Sequence, residues 1–325
     1  MKNACIVGYG AIGPAHARAI EKTENAKLYA VCDINPLKNE LCQQTYNVKT
    51  YTDFHQMLED KNIDSVHICT PHHLHYEMIT AALRAGKHVV SEKPVVMTRN
   101  QFESLLKTPG INEVCLIFQN RFNPCAQKLR SIIEKGILGN IVCAKAIVTW
   151  RRTKEYYKKD NWRGKWDTEG GGVLINQAVH TLDMLHYLVG DIKSVQANMT
   201  NYSLSDTIEV EDTVSAYFEF ACGATGIFFA TNAYKVNSPQ SIEIVFEQGI
   251  ARYTGNKLYI NDEMVCEDVV PTGEKSYWGL GHYALMHNYY DCNQYFNIFD
   301  AENTMSALFA IYESAQSGKN IKIQI

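Results

Sequence analysis

The sequence lacks the features that mark several classes of protein. Its ten cysteines include no Cys-x-x-Cys pair, so a structural zinc site has no anchor. No apolar run approaches the roughly 18 residues that a membrane span needs. No long block of like charges occurs and the net charge is −4, which together argue against a nucleic-acid-binding surface. These absences predict a globular protein that binds neither membranes nor nucleic acids.

The cysteines and the first twenty residues indicate the cellular compartment. The cysteines are scattered singly through apolar segments such as 30–33 and 65–70, which is typical of buried thiols rather than of a disulfide framework. Three glycines and Pro14 interrupt the apolar stretch near the N-terminus, which argues against a secretory signal peptide. We therefore predict a cytoplasmic protein without a metal site.

The length and the residue pattern predict two domains. A chain of 325 residues is too long for one ordinary hydrophobic core. In residues 1–121, short β-branched runs alternate with helical stretches, which predicts an α/β domain with a doubly wound parallel sheet of the Rossmann type. The predicted strands are 4–7, 27–32, 49–52, 65–69, 88–91 and 114–118.

Residues 122–325 have a different pattern of polar and apolar residues. Longer stretches of alternating polar and apolar residues predict an α+β domain with an open, mostly antiparallel sheet. The predicted strands are 141–150, 214–220, 225–231, 241–246, 249–254 and 257–260, and the two clearest helices are 174–189 and 301–317.

A glycine-rich run near the N-terminus predicts a dinucleotide site. Gly8-Tyr9-Gly10-Ala11-Ile12-Gly13 follows a predicted strand and opens a predicted helix, and Asp33 lies twenty residues later at the end of the second strand. This combination lets the backbone approach a pyrophosphate, while the carboxylate accepts hydrogen bonds from the ribose. A carboxylate also repels the 2′-phosphate of NADP, so NAD is favoured over NADP. Lys38 is the one nearby cation that opposes this preference.

Polar segments follow the fourth and fifth predicted strands, 65–69 and 88–91. Thr70-Pro71-His72-His73-Leu74-His75 follows one, and Glu92-Lys93-Pro94 follows the other. Ligands bind open α/β sheets at the carboxyl ends of the strands, so both segments are candidate cofactor or substrate contacts. A surface lysine in an ordinary turn is the alternative interpretation of Lys93.

A third segment opens with Gly170-Gly171-Gly172 and continues as a helix. Asn176, His180 and Asp183 have helical i, i+4 and i+7 spacing, which predicts that they share one face. Polar side chains on an otherwise apolar helix either bind partners or line a cleft. The glycine entry favours a cleft, and a satisfied core histidine remains the alternative for His180.

Together these segments resemble the glucose–fructose oxidoreductase/inositol dehydrogenase (Gfo/Idh/MocA) family over nearly the whole chain. The resemblance implies an NAD(H)-dependent oxidoreductase that acts on a hydroxyl or keto carbon of a sugar, polyol or sugar derivative. In such enzymes the lysine matching Lys93 and the histidine matching His180 contact the reacting hydroxyl. Many members have an aspartate where this chain has Asn176, so the resemblance does not place it among the inositol dehydrogenases.

The remaining site residues follow from the motifs and the resemblance together. The predicted cofactor contacts are Gly8, Gly10, Ala11, Ile12, Gly13, Asp33, Thr70, Pro71, His72, His75, Glu92, Lys93, Asn120, Trp162 and Arg163. The predicted substrate contacts, besides the catalytic pair Lys93 and His180, are Asn176, Tyr156, Trp166 and His282. By analogy with such folds we also expect a homodimer or homotetramer.

Two other functions fit the same residues. One is glycoside cleavage with a tightly held NAD that is oxidised and reduced within one catalytic cycle. The other is a catalytically silent regulator that senses nicotinamide nucleotides, although the presence of Lys93 and His180 argues against it.

Overall fold

The structure, a computed structural model, describes residues 1–272, 275 and 277–323. The strands are β1 Lys2–Val7, β2 Ala26–Cys32, β3 Lys49–Tyr51, β4 Ser65–Ile68, β5 His88–Ser91, β6 Val114–Leu116, β7 Ile141–Thr149, β8 Ile192–Thr200, β9 Thr213–Phe220, β10 Thr225–Thr231, β11 Ser241–Phe246, β12 Gly249–Thr254, β13 Lys257–Ile260, β14 Glu263–Glu267 and β15 Ile321–Lys322. The α-helices are α1 Gly13–Ile20, α2 Pro36–Tyr46, α3 Phe54–Leu58, α4 His72–Arg84, α5 Arg99–Leu106, α6 Pro124–Glu134, α7 Lys154–Lys158, α8 Trp166–Glu169, α9 Val179–Val189, α10 Gly281–Tyr290 and α11 Glu302–Ser317. A π-helical turn, Leu174–Ala178, precedes α9.

The first compact unit comprises Met1–Val96, Asn100–Gln119 and Gly281–Asp300. Its six strands are all parallel, in the order β3-β2-β1-β4-β5-β6. This is the doubly wound order of the Rossmann fold, and it reverses between β1 and β4, where such sheets bind ligands. The predicted parallel α/β sheet is confirmed.

Local signals explain where the helices of this unit begin and end. The Asn35 side chain caps α2 and Pro36 occupies its first turn, while Asp53 Oδ1 accepts a hydrogen bond from Gln56 N at 2.7 Å and caps α3. Gly86, just after α4, has φ of +69°, the left-handed conformation that glycine adopts readily.

The segment Gly281–Asp300 joins the first unit although it lies far along the chain. Leu116 N donates a hydrogen bond to Phe296 O at 2.8 Å, and Asp291 accepts from the backbone of Glu24 and Asn25. The predicted division of the chain at residue 121 did not anticipate that this later segment packs in the first unit.

The second unit comprises Met97–Arg99, Asn120–Leu280 and Ala301–Ile325. Its nine strands lie in the order β14-β13-β12-β11-β7-β10-β9-β8-β15, and every pair except β7 with β10 is antiparallel. Burial alternates along β9, so one sheet face is covered and the other is exposed. The predicted antiparallel sheet is confirmed, although β8, β14 and β15 were not among the predicted strands.

No helix among the described residues has both the length and the apolar character needed to cross a membrane.

Candidate active site

The glycine-rich run forms the turn between β1 and α1. Gly8 has φ of +85°, and a Cβ added to it would lie 2.8 Å from Cys69 O, so only glycine fits. A Cβ on Gly13 would lie 3.0 Å from Tyr9 Cδ2. A Cβ on Gly10 would meet no described atom within 4 Å, so the backbone there faces open space. These are the three roles that a dinucleotide-binding glycine run needs.

The first turn of α1 is available for an anion. Ile12, the residue before the helix, forms no side-chain cap, and the described part of the chain supplies no acidic residue in the first turn. Uncapped N–H groups at a helix N-terminus bind phosphate. The exposed Gly10 and Ala11 lead into this turn, so the residues present fit the pyrophosphate of NAD.

Asp33 is buried at the end of β2, close to the glycine run. Its Oδ2 accepts a hydrogen bond from Tyr9 N at 2.7 Å, and its Oδ1 accepts one from Asn35 N at 2.9 Å. Lys38 Nζ lies 3.3 Å from Oδ2. The carboxylate is therefore fixed in place beside the one cation that the sequence singled out.

His75 connects the two polar turns that follow β4 and β5. Its side chain is fully buried, with Nδ1 2.7 Å from Pro94 O and Nε2 2.9 Å from Thr70 O. It therefore braces the Thr70-Pro71 turn against the Glu92-Lys93-Pro94 turn. His72, at the start of α4, is buried beside it with ring centroids 5.9 Å apart. Direct contact of these residues with the cofactor stays a prediction.

Glu92 is a buried carboxylate directly before Lys93. Oε1 lies 3.0 Å from His16 Nε2, and Oε2 accepts a hydrogen bond from Lys93 N at 3.2 Å. Burial acts to raise the pKa of Glu92, but the hydrogen bond from His16 and nearby positive charge outweigh it and lower the pKa to about 2. The carboxylate is therefore ionised at neutral pH. His16 was not predicted as a site residue.

His282 belongs to the first unit rather than to the sheet of the second. It lies on α10, is almost fully buried, and places Nε2 4.0 Å from Glu92 Oε1. Burial lowers the pKa of His282 to about 4, so it is neutral at physiological pH. The predicted contact of His282 with substrate has no support from this placement and stays a prediction.

In the second unit, the helix expected over 174–189 begins with the π-helical turn, which holds Asn176. Because a π turn contains more residues than an α turn, the i, i+4 argument for a face shared by Asn176 and His180 does not apply. Such turns occur frequently at functional sites. Asn176 Nδ2 donates a short hydrogen bond to Glu169 Oε1, and Glu169 is fully buried.

The triple glycine allows this turn to approach its neighbours. A Cβ on Gly171 would lie 2.0 Å from Tyr312 Oη, and one on Gly172 would lie 1.9 Å from Glu211 O. Glu211 itself accepts hydrogen bonds from Gly172 N, Leu174 N and Tyr312 Oη at 2.9–3.1 Å. It therefore caps the start of the helical segment that presents His180.

Asp183 does not line a cleft. It is buried and forms a two-point salt bridge with Arg121, at 2.8 Å from Nε and 2.6 Å from Nη2, and also accepts from Thr304 Oγ1 at 2.9 Å. Asp183 therefore has a structural role: it ties α9 to Arg121 and to Thr304 of α11.

Aromatic and basic residues cluster before the triple glycine. The Arg163 guanidinium lies 4.4 Å from the Trp162 ring centre and donates to Tyr156 Oη at 2.6 Å and to Asp160 at 2.9 Å. Trp166 is partly exposed and donates to Glu209 O. The cluster has apolar faces and polar edges, as carbohydrate sites do.

Asn120 carries a buried acceptor. The side chain is almost fully buried, and Oδ1 accepts no hydrogen bond from any residue that the structure describes. Buried polar atoms are nearly always bonded, so this oxygen has the capacity to accept from a ligand.

Three buried residues that contact predicted site residues or the turns that carry them were not predicted: His16 in the first unit, and Glu169 and Glu211 in the second. His16 lies three residues after the last glycine of the run, and a polar residue on the apolar side of α1 was a signal that could have identified it. Glu169 and Glu211 contact the π turn or the residues just before it. The backbone N–H groups that donate to Glu211 belong to residues 37 and 39 positions away in the sequence, so no local motif identifies it.

Two family models match the chain. A model described as an oxidoreductase family with an NAD-binding Rossmann fold matches residues 2–119, and a model of the Gfo/Idh/MocA C-terminal domain matches residues 126–252.

Characterised relatives and a solved structure match over most of the chain. D-glucoside 3-dehydrogenase of Escherichia coli strain K12 is 30% identical over 252 residues, covering 71% of this chain and 70% of that protein. Myo-inositol 2-dehydrogenase of Thermotoga maritima is 26% identical over 251 residues, covering 75% and 72%. The WlbA dehydrogenase of Bordetella pertussis, solved with NADH and UDP-GlcNAcA, superposes with a TM-score of 0.87 at 30% identity, covering 100% of this chain and 99% of that chain.

Proposed function

The chain belongs to the Gfo/Idh/MocA family of NAD-binding oxidoreductases, and from this premise we propose that it is an NAD(H)-dependent dehydrogenase of a sugar, polyol or sugar derivative. The glycine run and Asp33 would hold NAD, whose nicotinamide would exchange a hydride with a carbon that carries a hydroxyl or keto group. The main support is the ionised Glu92 fixed directly before Lys93, at the end of a strand in the sheet that carries the glycine run.

Bound NAD supplies the hydride acceptor, and the protein supplies the proton chemistry. His180 takes the proton of the reacting hydroxyl on a ring nitrogen, since an imidazole titrates near neutral pH. The Lys93 ammonium stabilises the alkoxide that develops as the proton leaves. Glu211 and the triple glycine support the helical turn ahead of His180, and Glu92 supports the turn that carries Lys93.

Asn176 binds substrate rather than moving a proton. An amide has no proton to exchange at neutral pH, and its Nδ2 is directed at Glu169. The opposite end of the amide, Oδ1, is the acceptor that we assign to a substrate hydroxyl. Asn176 stands at the position where many members of the family have an aspartate.

The named relatives guide the choice of substrate. Inositol, a glucoside and a nucleotide-linked sugar acid share a six-membered ring of secondary hydroxyls. The Tyr156 and Trp162 rings pack against Arg163, and Trp166 is partly exposed; aromatic surfaces of this kind suit such a ring. We therefore assign the substrate to ring-form carbohydrates or cyclitols.

Three finer assignments accompany this function. NAD is preferred over NADP because the fixed Asp33 carboxylate repels a 2′-phosphate. The protein forms a homodimer or homotetramer, supported by apolar side chains such as Tyr217, Ile227 and Phe229 on the open sheet face. It resides in the cytoplasm, supported by ten cysteines that are free thiols.

The first test is nucleotide binding followed by a substrate screen. Protein freed of carried-over nucleotide is titrated with NADH and NADPH, with energy transfer from tryptophan as the signal; we expect tighter binding of NADH. Inositols, hexoses, glucosides and nucleotide-linked sugar acids are then screened for NADH formation at 340 nm. An Asp33→Ala variant is the control, because it removes the proposed ribose contact. Failure to bind either nucleotide would contradict the proposal.

A further inference from the structure

A row of buried polar side chains crosses the first unit from the end of β5 to α10. Glu92 Oε1 lies 3.0 Å from His16 Nε2, and His16 Nδ1 lies 3.0 Å from His67 Nδ1. His67 Nε2 lies 2.6 Å from Tyr290 Oη, which is 2.7 Å from Ser65 Oγ. All five side chains are buried, and they come from α1, β4, β5 and α10.

The direction of each hydrogen bond follows from the ionised end. An ionised Glu92 accepts only, so His16 donates from Nε2. With one ring proton on His16, its Nδ1 accepts from His67 Nδ1–H, and His67 Nε2 accepts from the Tyr290 hydroxyl. Burial and the neighbouring His16 lower the pKa of His67 well below its usual value, so His67 is neutral as this pattern requires. Every member of the row then has a hydrogen-bond partner.

Part of the row overlaps a possible metal site, but the side chains do not require a metal ion to satisfy their hydrogen bonds. Glu92, His16 and His282 are close enough to hold one. However, His16 Nε2 already bonds Glu92 Oε1 directly, and Oε2 already accepts from Lys93 N. The hydrogen-bond row accounts for the Glu92 and His16 atoms as they stand.

We propose that the row Glu92–His16–His67–Tyr290 holds a fixed negative charge at the cofactor edge of the sheet, and that this charge strengthens binding of NAD⁺ relative to NADH. The inference rests on the proposed function. The two nucleotides differ by one positive charge, which the oxidised nicotinamide ring carries. A buried carboxylate at the carboxyl end of β5, where ligands bind this fold, stabilises that charge and also offsets the charge of Lys93. His16 and His67 are positioning residues that keep the carboxylate oriented and ionised.

The test is the ratio of the NAD⁺ and NADH dissociation constants, which requires no knowledge of the substrate. Glu92→Gln removes the charge, and we expect it to shift the ratio toward NADH by about 10-fold, equivalent to about 1.4 kcal/mol. His67→Leu removes the donor to His16 and should shift the ratio in the same direction by about threefold, equivalent to about 0.6 kcal/mol. His67→Asn is the matched control, because its amide N–H replaces Nδ1–H and should restore the ratio of the unmodified protein.

Binding is measured by fluorescence on variants whose folding is checked by thermal melts. If His67→Leu fails to fold, Tyr290→Phe, which removes the donor to His67, takes its place with a smaller shift expected in the same direction. An unchanged ratio in Glu92→Gln, or one zinc ion per chain in the purified protein, would overturn the inference while leaving NADH binding intact. If the unmodified protein binds neither nucleotide, the proposed function itself fails.

Discussion

In each unit of the molecule, a buried glutamate supports the turn that leads to a candidate catalytic side chain. In the first unit Glu92 lies directly before Lys93, and in the second Glu211 binds the turn that leads to His180. The two carboxyl groups are equally buried, yet their pKa values move in opposite directions. That of Glu92 is lowered to about 2, and burial raises that of Glu211 to about 7.

The difference lies in the groups that surround each carboxylate. Glu92 receives an imidazole N–H and lies near the positive charge of Lys93. The hydrogen bonds that Glu211 accepts come from two backbone N–H groups and the Tyr312 hydroxyl, which are neutral. Neutral donors reduce the cost of burying a carboxylate but do not cancel it. Burial alone therefore does not decide whether a supporting carboxylate is charged.

The largest expected effect tests whether both units contribute to catalysis. Lys93→Met and His180→Asn should each lower turnover by about 100- to 10,000-fold, because each removes a group that acts on the reacting hydroxyl. His180→Asn should leave the NADH dissociation constant unchanged. Turnover is measured as NADH formation with the substrate found in the screen. Full activity of either variant would show that only one unit carries the chemistry.

A second comparison uses one glycine from each unit. Gly172→Ala should destabilise the protein by about 1–3 kcal/mol, because its Cβ would lie 1.9 Å from the backbone oxygen of Glu211. Gly10→Ala should leave stability unchanged, since its Cβ would meet no described atom within 4 Å, but should weaken NADH binding by at least about 10-fold. Urea unfolding and NADH titration of both variants separate the two roles. Equal stability of the two variants would contradict the assignment.

The third prediction concerns the pH dependence of stability through Glu211. A carboxyl whose pKa is raised on folding stabilises the native state below the unfolded value of 4.5, and this contribution is lost as the pH rises through about 7. The free energy of unfolding should therefore decline from pH 4.5 to pH 8 by up to about 3 kcal/mol on account of this group. Urea unfolding across this range measures the decline, which Glu211→Gln should abolish.

Glu92 provides the opposite control for that experiment. Its pKa is lowered on folding, so its contribution is present above pH 4.5 and is lost only as the pH falls toward about 2. Glu92→Gln should therefore leave the decline between pH 4.5 and pH 8 in place. A decline that disappears in Glu92→Gln and persists in Glu211→Gln would reverse the assignment of the two carboxyl groups.

The two units also differ in how much of their site could be predicted. The glycine run and Asp33 form a local motif with fixed spacing, so the sequence predicts both their fold and their chemistry, and the family match confirms the fold. Glu211 acts through contacts that exist only after folding, so no spacing rule identifies it. The π turn at Asn176 escaped prediction because hydrophobic periodicity does not distinguish one extra residue per turn.

The smallest expected effect concerns Lys38, the residue that opposes the preference for NAD. The Lys38–Asp33 contact is 3.3 Å, but the lysine side chain is 40% exposed, and such pairs contribute only about 0–1 kcal/mol. The two backbone N–H groups, not Lys38, fix the Asp33 carboxylate, so Lys38→Ala should change the NADH dissociation constant less than about twofold. NADPH binding, in contrast, should weaken by about two- to fivefold, because Lys38 is a cation that can offset a 2′-phosphate beside Asp33. Titrations of Lys38→Ala with both nucleotides at low and physiological salt measure this, and a large loss of NADH affinity would mean that the ribose site depends on the surface cation rather than on the buried carboxylate.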